Sequence, residues 1–138
     1  MTVQQLHNKW LNSHTAFGAY GEQRAASLLW RLGLMVIPSK GCDLIAVNRS
    51  TGERWRIEVK TAKRSNDGKY RFTCIKRNHT HTNKSDIVIC LAYDGGEFGP
   101  FIIPVKDIIG KSSVCITSNP NTYNGKYAKY KNNWSLLS

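Results

Sequence analysis

Asp43 ends the tripeptide Gly41-Cys42-Asp43, and after fourteen intervening residues the chain reads Glu58-Val59-Lys60. Side chains of an extended strand change faces at every residue, so Glu58 and Lys60, two apart, share one face. An aspartate at the start of the neighbouring hairpin strand can meet them there. Two carboxylates and an ammonium then converge. Hard carboxylate oxygens, supplemented by a backbone carbonyl such as that of Val59 and by water, suit Mg²⁺, with Mn²⁺ as its substitute. A lysine beside them can orient or deprotonate an attacking water, or offset the negative charge that develops on a phosphorane. The plain alternative is that Glu58 and Lys60 lie on a solvated sheet face and pair with Arg54 or Arg56.

The elements that would position these residues can be read from their flanks. Phe17, Gly21, Ala25, Leu28, Leu29 and Leu32 form one helical stripe over Thr15 to Leu32, with Gly33 as the stop. Leu34 to Ile37, ended by Pro38, and Leu44 to Val47 read as a strand pair around the turn Ser39-Lys40-Gly41. From Arg54 the alternation is clean: Arg54, Arg56, Glu58 and Lys60 on one face, Trp55, Ile57 and Val59 on the packed face. Tyr70 to Ile75 reads as a further strand, and a polar connection follows from Lys76 to Ser85. The unbroken apolar run Ile87 to Ala92 predicts a strand covered on both faces. After Asp94-Gly95-Gly96, Phe101 to Ile103 is a strand, Val105 to Ile109 a single helical turn, and Val114 to Ile116 an edge strand. Tyr123, Tyr127, Tyr130, Trp134 and Leu137 recur every three to four residues, as either a helix or an ordered wrap. Aromatics at that spacing are read as core closure ahead of base stacking.

Composition narrows the partner. The chain has 138 residues with 20 Lys plus Arg against 9 Asp plus Glu, a formal net charge of +11. A positive field of this size favours a polyanion, either nucleic acid or an anionic membrane surface. The long helix carries two arginines and one glutamate, which is not an amphipathic basic membrane helix. Apolar runs fall far short of the roughly 20 residues of a membrane span, and the N-terminus has no signal-peptide pattern, so no membrane association and a cytoplasmic location are expected. Cys42, Cys74, Cys90 and Cys115 form no Cys-x-x-Cys pair and are expected as free thiols. One domain over 1–138 is expected, with a core over about 15–110 and a C-terminal extension over 111–138.

A helix with an internal glutamate, then Asp43, then Glu58-Val59-Lys60 resembles the PD-(D/E)XK nuclease superfamily, in particular small stand-alone forms similar to Holliday-junction resolvases. The likeness covers roughly Phe17 to Ala62. It implies an α/β, restriction endonuclease-like fold: a central mixed β-sheet flanked by an N-terminal helix and short helical segments. It implies a metal-dependent DNA endonuclease in which Asp43 and Glu58 bind the metal and Lys60 acts on the water. Glu22, in Gly21-Glu22-Gln23-Arg24, matches the acidic residue often found on the first helix of resolvase-like members, although it sits at the flank of the apolar stripe. A resolvase-like role further implies branched DNA and a homodimer with two sites. The chain departs from the pattern where Cys42 replaces the naming proline and where Lys76 to Ser85 leaves little room for a core helix. The strand beyond Asp86, the Phe101 to Pro104 segment and the ending Tyr130 to Leu137 look similar to a group of small bacterial and phage restriction-endonuclease-like proteins. A phage- or intron-type endonuclease, a small restriction enzyme, and a catalytically inactive nucleic-acid-binding module are the alternatives.

Lys63 and Arg64 directly follow the Glu58-Val59-Lys60 segment and Lys40 precedes Asp43, so these three are the first-choice phosphate contacts. Lys76, Arg77, Lys84, Lys126, Lys129 and Lys131 come second. Contacts of this kind supply affinity and salt dependence without reading sequence. His79 and His81 lack a third ligand nearby and read as part of a solvated loop.

Overall fold

The computed structural model describes residues 1–39, 41–73, 85–117 and 119–138, and of Trp10 the backbone only. Two helices open the chain, α1 (Val3–Leu11) and α2 (His14–Arg31). Seven strands follow: β1 (Met35–Pro38), β2 (Leu44–Val47), β3 (Arg54–Lys63), β4 (Lys69–Phe72), β5 (Ile87–Asp94), β6 (Glu97–Pro104) and β7 (Val114–Thr117). Helix α2 begins where the Ser13 hydroxyl accepts the Ala16 N–H at 3.3 Å, an N-cap that satisfies one of the free amides of the first turn. It stops at Gly33, whose φ of +87° suits a residue without a Cβ. Leu32, expected in the buried stripe, is instead the C-cap and is 48% exposed, because the chain turns away there. Helix α1 was not expected from the sequence; Val3 and Leu6 on it are exposed, so no buried apolar stripe announces it.

Five strands form one mixed sheet in the order β1-β2-β3-β5-β6. Every neighbouring pair is antiparallel except β3 with β5, which run parallel from Ile57↔Ile87 to Lys63↔Tyr93. A parallel pair requires a crossover, and the described part of this one is strand β4. β4 pairs with β7 in a separate antiparallel ribbon, Tyr70 opposite Ile116. Val114–Thr117 therefore does not add an edge to the main sheet, as its sequence had suggested. Ile75, expected within β4, lies outside the described residues. β6 is longer than expected because the turn at Gly95 and Gly96, both at positive φ, closes a tight hairpin with Asp94 opposite Glu97.

The sheet is covered on both faces, and β5 shows it residue by residue. Ile87, Ile89 and Leu91 pack with Ala25 and Leu29 of α2 and with Trp55, Ile57 and Val59. Val88, Cys90 and Ala92 pack on the opposite face with Tyr70, Phe72, Val114, Ile116, Tyr127 and Tyr130. Leu29 and Ile57 are fully buried, and each such side chain stabilises the fold by about 2 kcal/mol. The segment expected as an extension thus supplies part of the second core. It is an ordered wrap with two short 3₁₀ turns, Ala128–Tyr130 and Trp134–Leu137, tied to β6 by a bridge between Lys131 and Phe101. Cys42, Cys90 and Cys115 are free thiols, while Cys74 lies outside the described residues. Among the described residues no helix is long and apolar enough to cross a membrane.

Candidate active site

Strand β3 sorts its residues as the alternation requires. Trp55, Ile57 and Val59 are buried under α2, and the even-numbered residues Arg54, Arg56, Glu58 and Lys60 point to the other face. The β2–β3 register, Leu44↔Ile57, places Asp43 across from Glu58 just where β2 begins. Asp43 then bonds to β3 twice. Its N–H donates to the Ile57 carbonyl at 3.1 Å, and its Oδ2 accepts the Val59 N–H at 2.8 Å. A carboxylate therefore takes the place of a ladder acceptor at the end of the hairpin. The N–H and C=O of one strand residue face the same edge, so the Val59 carbonyl is directed to the side on which Asp43 lies. Lys60 Nζ is 3.9 Å from Glu58 Oε1, and both side chains are about one-fifth exposed, at 21% and 18%.

Glu22 reaches this edge through a close helix–strand approach. A Cβ on Gly21 would stand 1.8 Å from Thr61 Cγ2, so only a glycine lets α2 come this near to β3. One residue further, burial raises the Glu22 pKa, and the charge of Asp43 and a hydrogen bond to it raise it further. Glu58 is pushed up to about 7, first by burial and then by Asp43, with Lys60 opposing and Glu22 adding to the rise. Glu22 and Glu58 thus bind their protons more tightly than they would in water, first because burial disfavours the charged form and then because the charge of Asp43 lies beside them.

Such a site fits a hard dication. Among the described residues no three His, Cys, Asp or Glu side chains form a ready-made metal cage. Mg²⁺ does not need one, since it is held by one or two carboxylates and keeps several waters. Asp43, Glu58 and the Val59 carbonyl are a donor set of that kind, and their mutual repulsion is what a cation would relieve.

Of the two arginines that the solvated-face alternative offers, Arg56 is engaged elsewhere. Arg56 makes a forked pair with Asp86, Nε at 3.2 Å and Nη2 at 2.8 Å, and its N–H donates to the same carboxylate at 2.9 Å. Sequence reading had no signal for this pair, whose members are 30 residues apart. The expected phosphate contacts do not all gather at one mouth. Lys63, an odd-numbered β3 residue, points to the helix side, where its ammonium donates to the Leu11 carbonyl at the end of α1 and lies 5.6 Å from the Phe17 ring centre. Arg64 lies 5.7 Å from the centre of the Tyr70 ring, toward the ribbon. The alternation that pairs Glu58 with Lys60 also separates Lys63 from Arg64. Lys40, Lys76, Arg77, His79, His81 and Lys84 lie outside the described residues. A hollow of about 800 Å³ between Trp55, Asp86, Val105 and Tyr130 contains none of the clustered acids.

No protein-family model and no curated protein matches this chain. Among solved structures it is similar to a bacterial homing endonuclease, I-Ssp6803I, with a TM-score of 0.72 over 91% of each chain at 20% sequence identity. The chain has the fold of that endonuclease, including a mixed central sheet with few helices.

Proposed function

We propose that this protein is a metal-dependent DNA endonuclease of the restriction endonuclease-like type, which hydrolyses phosphodiester bonds at the edge between β2 and β3. The observation that carries the proposal is the convergence of Asp43, Glu58 and Lys60 on that edge, with the Asp43 carboxylate fixed by the Val59 N–H at 2.8 Å and Lys60 3.9 Å from Glu58. A scaffold kept only for binding would not need all three. The similarity to a protein named a homing endonuclease supports DNA as the substrate, and it favours the phage- or intron-type reading over the junction-resolvase reading.

Asp43, Glu58 and the Val59 carbonyl would hold Mg²⁺, with Mn²⁺ as its substitute. When bound, the cation would polarise the scissile phosphate and lower the pKa of water. Lys60 orients the attacking water and offsets the charge that builds on the phosphorane as the new P–O bond forms and one ester P–O bond breaks. Glu22, whose pKa is raised by burial and by the neighbouring Asp43, is the auxiliary acid. A duplex has two strands to cut, so two copies of the chain acting as a homodimer would supply two such sites.

Labelled linear duplex, four-way junction and single-stranded DNA, each with Mg²⁺, Mn²⁺ or EDTA, test this reading. Cutting that needs the metal and falls at least about 100-fold in Lys60→Ala is expected. Cutting of the junction alone would restore the resolvase-like role. Duplex binding without any cutting would leave a binding module.

A further inference from the structure

We propose that Lys111, Lys126 and Lys129 form a second phosphate-binding surface, which holds the backbone of duplex DNA away from the scissile bond. This deepens the nuclease reading and rests on it. Lys126 and Lys129 are exposed, and their ammonium groups lie 5.6 Å and 5.1 Å from the ring centres of Tyr127 and Tyr130. Both tyrosines are buried in the core beneath, so the lysines stand on fixed platforms rather than on a loose tail. The two lysines, the two tyrosines and Asp107 line a hollow of about 250 Å³. Asp107 opposes an anion, but its Oδ2 accepts the Tyr130 hydroxyl at 2.7 Å, and the two lysines of the hollow, with Lys111 beside Lys126, outweigh one acid.

Crowding of like charge points the same way. Lys111 lies beside Lys126, and the presence of this second ammonium holds Lys126 below the ordinary lysine range. An anion placed between them would relieve that crowding. Location selects the polymer. The core that carries Tyr127 and Tyr130 also contains Ala62, an even-numbered β3 residue like Glu58 and Lys60, so platform and carboxylates belong to one side of the sheet. A duplex lying across that side would touch both. A free phosphate would have no reason to need both.

Fluorescence anisotropy of a labelled duplex, read against salt concentration in EDTA, tests the surface. In Lys111→Gln/Lys126→Gln/Lys129→Gln the slope of log K against log salt should shrink by about 2 to 3, close to 0.9 for each lost phosphate contact. The charge reversal Lys129→Glu alone should weaken binding more than Lys129→Gln, with unfolding midpoints confirming that each variant is folded. An unchanged slope in the triple variant overturns the proposal, and if the wild type still cuts DNA the nuclease reading survives. A reduced slope in a protein that never cuts supports the surface and overturns the catalysis. Lysine-dependent binding to phosphatidylserine vesicles, with none to duplex, also overturns it.

Discussion

Burial and two neighbouring carboxylates raise the Glu58 pKa from 4.5 to about 7. The sign of the consequence follows from linkage: the folded state binds this proton more tightly than the unfolded state, so the fold loses stability as pH rises from about 4.5 through 7. Glu22 acts in the same direction. In EDTA, Glu58→Gln should therefore gain stability over the wild type at pH 8 and lose that advantage at pH 5, as read from urea midpoints. An equal difference at both pH values would show that Glu58 is not the strained group. A cation must displace this proton to bind, so Mg²⁺ should raise the unfolding temperature of the wild type more at pH 8 than at pH 6, and do so little in Glu58→Gln.

Among the elements, the contact between α2 and β3 decides whether Glu22 belongs to the site. Gly21→Ala would drive a Cβ into Thr61, and overpacking of this kind costs about 1–3 kcal/mol. Gly18, one turn earlier on the same helix, has nothing within 4 Å of its would-be Cβ, so Gly18→Ala should be neutral or stabilise by up to about 1 kcal/mol. Denaturant midpoints of the two variants check the contrast, and equal effects would contradict the close approach. The alternation from Arg54 to Lys60 was legible because a strand with one packed face writes its period into the sequence. Glu58 with Lys60, and Asp43 opposite them, could be read from that period and the hairpin length. Gly21 was readable only as part of an apolar stripe, since its role depends on Thr61 forty residues later. The pairing of β4 with β7 and the Arg56–Asp86 fork are likewise contacts between distant segments that leave no local pattern. The divergence of Lys63 and Arg64 was written in the same alternation as Glu58 and Lys60.

At the scale of the molecule, a mixed five-stranded sheet buries both faces and leaves polar chemistry to its edges. The β2–β3 pairing ends at Leu44↔Ile57, β3 runs on to Lys63, and the acids gather beside the stretch of β3 that β2 leaves unpaired. An open edge of this kind suits a polymer that lies along the surface, and the net charge of +11 suits a polyanion. The aromatic tail, whose form was open in the sequence, completes the core beneath one side and carries lysines outward on it. The measurement that bears most directly on the central claim is single-turnover cleavage of DNA in Mg²⁺ by the wild type, Asp43→Asn and Glu58→Gln, with binding to the same DNA measured in EDTA. The account predicts that both variants lose at least about 100-fold in cleavage rate while binding as tightly as the wild type or more so, because each loses a negative charge that faces phosphate. Cleavage at the wild-type rate by both would contradict it.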